Sequence, residues 1–275
     1  MKLKSIDNEK YFDWGKTSKD YARYREGYPE SFYDTLCALG IGIEGQQILD
    51  LGTGTGVLAR AFARHGAHVI GADIAENQIQ AARDLATEEN LDIEFRVSPA
   101  EDIELPDGSL DVVSAGQSWL YFDNEIMIPK VLRMLKETGC LVLTHLLWLP
   151  YKDDIARQME ELVLKYNPDW QGAHYNGAMP AMMPWAKEAF ELKTFHVMEM
   201  PLTFTHESWR GRIRACRGTS ASLPPDMVAE FDAEHQALLE KLVPDTFEVL
   251  HQMTIHVLVG KGTISTSKAE QKAFV

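Results

Sequence analysis

The sequence has little cysteine, a deficit of positive charge and no long apolar run. Its three cysteines, Cys37, Cys140 and Cys216, form an odd set without CxxC spacing. That argues against a disulfide framework and for a reducing, cytoplasmic setting. The 27 lysines and arginines are outnumbered by 41 acidic residues, giving a formal net charge of -14. No nucleic-acid partner is therefore expected, because phosphate binding needs a basic footprint. One local exception is the run Arg210, Arg212, Arg214 and Arg217, read as a solvated helix face or local ion pairing. No apolar stretch reaches the roughly 20 residues of a membrane span, so no membrane partner is expected. The nearest stretch, 140–150, is interrupted by His145 and reads as a buried strand. Residues 1–7 lack the apolar core of a secretory leader. No group of His, Cys and Asp has ligand spacing, and no metal is expected.

What remains is an ordinary globular composition, 45% hydrophobic and 25% charged over 275 residues, enough for one large α/β domain or a domain with an insertion. Its most informative stretch is Ile48-Leu49-Asp50-Leu51-Gly52-Thr53-Gly54-Thr55-Gly56-Val57. This reads as a buried strand, a glycine-rich turn and a helix start, a place where a ligand lies against bare backbone with N–H groups aimed at it. A dinucleotide fingerprint wants a third glycine or alanine where Val57 stands. Asp50, two residues before the first glycine, would repel phosphate and attract a ligand carrying an amine and a sulfonium. That favours S-adenosylmethionine over NAD.

Strands and helices alternate from here. Strands are expected at 47–51, 68–72, 93–97, 110–115 and 139–147, with helices at 57–64, 77–89 and 125–136 between them, and a further strand at 195–204. Short links imply a mostly parallel, Rossmann-like sheet of seven strands, with helices on both faces and an antiparallel last strand at 247–259. The chain divides into an N-terminal arm or lid (1–30), a cofactor-binding core (31–150), a variable substrate-side insertion with helices (151–245), the final core strand (246–262) and a polar tail (263–275). Loops after parallel strands gather at one sheet edge, where such folds bind ligands. Asp73 ends the second strand and suits ribose hydroxyls in either nucleotide. Segment 98–106 follows the third strand and offers partners to an adenine edge, with Ile74 as an apolar lid.

These residues resemble the class I S-adenosylmethionine-dependent methyltransferases, in the small-molecule group near trans-aconitate methyltransferase-like proteins. Leu49-Asp50-Leu51-Gly52-Thr53-Gly54-Thr55-Gly56 is similar to their first motif, Ala72-Asp73-Ile74 to their acidic strand end, and Ala100-Glu101 with Leu105-Pro106-Asp107 to their Ala-Glu-x-x-Pro segment. Gln117-Ser118-Trp119-Leu120-Tyr121-Phe122 resembles the subgroup's Gln-Ala-x-His-Trp-Phe, with Leu120 in place of its histidine and Tyr121 in place of its tryptophan. Tyr21 to Pro29 resembles its Tyr-x-x-Tyr-Arg-Pro-x-Tyr-Pro, with Glu26 at the first proline.

The resemblance implies methyl transfer from S-adenosylmethionine to a small-molecule acceptor, leaving S-adenosylhomocysteine. It implies that Asp50 and Gly52 hold the methionine part, Asp73 the ribose, and Ala100 and Glu101 the adenine, with Thr53, Gly54 and Ile74 also bordering the cofactor. Gln117 and Ser118 would lie beneath the sulfonium, while Tyr21 and Arg25 close over the cofactor. A base is needed only where the acceptor must lose a proton. His174, in the insertion beside Tyr175 and Trp170, and His145, in the fifth strand, are the candidates. The insertion's Met, Trp and Tyr residues suit an apolar pocket. A non-catalytic adenosine-binding module and an NAD(P)-dependent oxidoreductase remain the alternatives at this point.

Overall fold

Ile48, Leu49 and Leu51 are all buried, yet they divide between two cores. Side chains alternate across a strand, so Ile48 faces one side of a sheet and Leu49 and Leu51 the other. Val112 and Val113 divide in the same way, as do Val142 and its neighbours Leu141 and Leu143. A sheet apolar on both faces must be covered twice, and that requirement sets the architecture. The computed structural model describes residues 6–24 and 27–262.

The sheet has seven strands: β1 (Gln47–Leu51), β2 (His68–Asp73), β3 (Ile93–Val97), β4 (Leu110–Gly116), β5 (Leu135–Trp148), β6 (Phe190–Thr205) and β7 (Thr246–Gly260), in spatial order β3-β2-β1-β4-β5-β7-β6. The first five pair in parallel, and β7 runs antiparallel between β5 and β6. Before the sheet come α1 (Ser18–Tyr24) and α2 (Glu30–Ala38). One face is covered by α2, α3 (Val57–Arg64) and α4 (Glu76–Glu88), through Phe32, Leu36, Phe62 and Ile79. The other is covered by α5 (Asn124–Met134), through Met127, Val131 and Met134. The mostly parallel sheet with its antiparallel last strand agrees with the sequence reading.

One expectation is corrected. The helix expected at 125–136 ends at Met134, because Leu135 pairs with Leu110 and begins β5. The strand expected at 195–204 is β6, which begins five residues earlier and forms the edge of the main sheet.

The β6–β7 ribbon overhangs the sheet. Pairing of β5 with β7 stops at Trp148 and His251, whereas β6 and β7 continue to Thr205 and Thr246. The overhang meets α6 (Asp154–Tyr166), α7 (His206–Arg214) and α8 (Pro225–Leu242) in a third core of Trp209, Phe231, Phe204 and Val249. A helical cap is thereby fixed above the carboxyl ends of the strands.

Candidate active site

The strand order reverses between β1 and β4, and ligands bind at such switch points in open α/β sheets. Gly52, Gly54 and Gly56 all adopt positive φ in the turn that leaves β1. A Cβ on Gly52 would lie 2.4 Å from the Ser118 Cβ, so backbone and side chain meet there without room for another residue. The Gly54 N–H donates to Asp73 Oδ2 at 3.0 Å, and the Ala75 N–H donates to Oδ1 at 2.9 Å. Asp73 thus ties the glycine turn to the end of β2, and burial raises its pKa.

Asp50 is 2% exposed. Its two carboxylate oxygens accept from the Ser114 and Thr53 hydroxyls, each at 2.6 Å. Burial pushes its pKa up to about 6 against those hydrogen bonds. Asp50 and Thr53 do not line the main cleft. They face a smaller cavity of about 40 Å³ beneath the turn, shared with Gly52, Tyr28 and Gln117. Gln117 holds a left-handed backbone with φ 59° at the end of β4, and its N–H donates to Thr144 O at 2.9 Å. Ser118 Oγ donates to Leu51 O at 2.6 Å.

The main cleft has a volume of about 400 Å³, within the usual range for small-molecule sites. One end is lined by Asp73, Ile74, Ala100 and Glu101, and its floor by Gly52, Gly54, Gln117 and Ser118. Ile74 is half-exposed there, an apolar surface beside polar groups. Glu101 Oε1 accepts the Asp123 N–H at 2.9 Å. The ring of Tyr21 lies 3.6 Å from where a Gly54 Cβ would stand, so α1 covers the turn. Arg25 falls outside the described residues.

The two histidine candidates separate. His145 lines the cleft, with Nδ1 3.0 Å from Thr254 Oγ1. Burial and the nearby His256 lower its pKa to about 4, so it stays neutral near pH 7. His174 is exposed with φ 64° and does not line the cleft, whereas its neighbour Tyr175 does. Among the described residues no cluster of His, Cys, Asp or Glu could hold a metal ion, and no helix is long and apolar enough to cross a membrane.

The far end of the cleft holds Trp170, from the insertion read as an apolar pocket, and four residues that sequence reasoning missed: Trp148, Arg212, Cys216 and Arg217. The arginine run splits. Arg210 and Arg214 pair with Asp232, and Arg214 also pairs with Asp20. Arg212 and Arg217 turn to the cleft. One signal was available, since Trp148 ends a strand at the edge where ligands bind.

Strand order, the glycine turn at the switch point and the acids ending β1 and β2 define a nucleotide-binding methyltransferase fold. A family model described as a methyltransferase domain matches residues 48–139. Over that stretch the chain is similar to the class I S-adenosylmethionine-dependent methyltransferases, a family whose cofactor is S-adenosylmethionine. The ubiquinone biosynthesis O-methyltransferase of Xanthomonas campestris pv. campestris (strain B100) is 28% identical over 189 residues, 67% of this chain and 77% of that one. A Dictyostelium discoideum protein named as a methyltransferase is 29% identical over 133 residues, so the match spans 47% of its length and 47% of this chain. The solved YcgJ protein of Bacillus subtilis shares the fold with a TM-score of 0.52 and 18% identity, over 84% of this chain and 98% of that one.

Proposed function

We propose that the chain moves the methyl group to a small-molecule acceptor bound at the aromatic end of the cleft. The observation that carries this is continuity. One cleft joins Asp73 and Glu101 to Trp148 and Trp170, with Gln117 and Ser118 midway. A donor at one end can therefore face an acceptor at the other within a single cavity.

The chain's residues fit the cofactor's chemistry. Asp73 presents a fixed acceptor for ribose hydroxyls beside Ile74, which offers an apolar face to a base. Ala100 and Glu101 border the adenine end. The bare backbone of Gly52 and Gly54 admits the methionine part. The small cavity at Asp50 has room for an ammonium group or a water beside that carboxylate. When bound, S-adenosylmethionine supplies a methyl group on a sulfur that is already a cationic leaving group. The remaining work is alignment of the in-line displacement and exclusion of water. Tyr21, Trp14 and Tyr121 roof the cleft from the N-terminal arm and the turn after β4. His145, neutral near pH 7, can accept a proton from the acceptor only weakly, given its low pKa.

Two measurements test the proposal. Calorimetry with S-adenosylhomocysteine should give saturable binding, and an absence of heat at hundreds of micromolar would sink the cofactor assignment. Incubation with labelled S-adenosylmethionine and a metabolite extract should label a small molecule. Binding without transfer to any extract component would leave a non-catalytic module.

A further inference from the structure

We infer that the acceptor carries a carboxylate, held at the far end of the cleft by Arg217 and Arg212 beside the indoles of Trp148 and Trp170. This rests on the reading of the cleft as the site of methyl transfer.

The charge distribution is the first argument. Among the described residues lining the cleft, the carboxylates are Asp73 and Glu101, both at the β2–β3 end. The β5–β7 end is lined by two guanidiniums and no carboxylate. This occurs in a chain of net charge -14, whose general field repels anions. With Asp7 behind Arg217 and Glu160 behind Trp148, the groups that line that end are still guanidinium donors, which suit a carboxylate and offer an amine no acceptor.

Burial is the second. The Arg212 residue is 4% exposed and the Arg217 side chain 11% exposed. Removing a guanidinium from water is costly unless it is paired or put to use. Arg210 and Arg214, on the other side of the run, are matched by Asp232 and Asp20. For Arg217 the matching acid is Asp7, 2.9 Å from Nε. That carboxylate also accepts the Gln171 N–H at 2.8 Å. Arg217 Nη1 is buried with no hydrogen-bond partner among the described residues.

Preorganisation is the third. Arg217 lies 6.0 Å from the Phe12 ring centroid and 5.9 Å from that of Tyr121, and Arg212 lies 5.4 Å from that of Trp148. Guanidiniums fixed against aromatic faces lose little freedom when a carboxylate arrives. The indoles of Trp148 and Trp170, with centroids 6.5 Å apart and planes tilted by 47°, give the same end an apolar, aromatic lining. A planar acid satisfies both features.

The test uses the full chain loaded with S-adenosylhomocysteine, whose binding is measured first. Benzoate, cinnamate and indole-3-acetate are then compared with their amides by calorimetry. At least one acid should bind about tenfold or more tighter than its amide, as expected for a charge-assisted pair. Arg217→Lys, which keeps the charge beside Asp7 but loses the planar fork, should reduce that preference and leave S-adenosylhomocysteine affinity unchanged. Acids and amides of equal affinity, or no binding by any of the six, would overturn the inference while the cofactor titration still stands. A tenfold loss of S-adenosylhomocysteine affinity in Arg217→Lys would also overturn it, by assigning the guanidinium to the cofactor's own carboxylate. Failure of S-adenosylhomocysteine to bind the wild-type chain would instead strike the underlying reading.

Discussion

The indole N–H of Trp148 donates to Glu160 Oε1 at 2.6 Å, and Glu160 is 1% exposed. The other oxygen of the same carboxylate accepts the His174 N–H at 2.7 Å. One buried acid therefore fixes a tryptophan of the cleft and the backbone of the loop opposite it. A double-mutant cycle of Trp148→Phe with Glu160→Gln should give a coupling of about 1–2 kcal/mol by urea denaturation. Strictly additive effects would show that the bond contributes nothing to holding the indole.

Gly52→Ala should destabilise the chain by about 1–3 kcal/mol and abolish S-adenosylhomocysteine binding, because φ is 64° and the new methyl meets Ser118. Gly40→Ala is the control. Its φ is 75°, but a Cβ there has nothing within 4 Å. It should cost only the backbone strain and leave binding intact. Equal losses in the two variants would deny the close approach its role.

Asp73→Ala should weaken S-adenosylhomocysteine binding by roughly 10–100-fold, the worth of hydrogen bonds to a charged acceptor. It also strands the Gly54 and Ala75 N–H groups that Asp73 now accepts. Calorimetry decides, and unchanged affinity would exclude Asp73 from the ribose site.

Asp50→Asn should preserve or raise stability at neutral pH while weakening cofactor binding. In the folded chain this carboxylate titrates at about 6, above its unfolded range. The folded state therefore holds its proton more tightly, and ionisation opposes folding increasingly as pH rises from about 4 to about 6. Thermal melts at neutral pH and at about pH 5 should show the variant's advantage shrinking at the lower pH. A variant less stable at neutral pH than at low pH, relative to wild type, would contradict this sign.

The histidines act in the opposite direction. Burial lowers His145 and His251 to about 4 and His235 to about 3, and it lowers His256 as well. Their unfolded forms take up protons first, so their contribution is intact above about pH 6.5 and is lost as pH falls toward 4. The carboxylates raised by burial, Asp50, Asp73 and Glu160, oppose this, whereas Glu89 and Asp232, lowered by their arginine partners, act with the four imidazoles, and stability should fall across that window. His235 is fully buried, and neither ring nitrogen has a hydrogen-bond partner among the described residues. His235→Leu should therefore gain on wild type by up to about 1.4 kcal/mol per pH unit below 6.5. Parallel stability curves for the two proteins would refute it.

Much of the fold was legible because its signals are local. Ile48, Leu49 and Leu51 announce a doubly covered strand, and Gly52, Gly54 and Gly56 announce the turn, within ten residues. The first five residues of β6 were not legible. A register shift between Leu192 and Thr194 breaks the alternation that marks a strand. His174 and Tyr175 could not be told apart either, since an irregular loop has no period to say which side chain turns inward. The arginine run looked uniform because the acids that match Arg210 and Arg214, Asp232 and Asp20, lie on other helices.

The sequence by itself determined the class of molecule: a parallel nucleotide-binding sheet, the acid at each of two strand ends, and a turn of bare backbone suited to a sulfonium cofactor. Each of these rests on residues a few positions apart, where backbone geometry and side-chain period act directly. The tertiary structure decided what faces the cofactor. The β6–β7 ribbon overhangs the sheet and carries the helical cap into place. That brings Arg212 and Arg217, the indoles of Trp148 and Trp170, and the Asp7–Gln171 contact of the N-terminal segment to one end of one cleft. Asp7 and Gln171 alone are separated by 164 positions in the chain, and no local pattern encodes so long a closure.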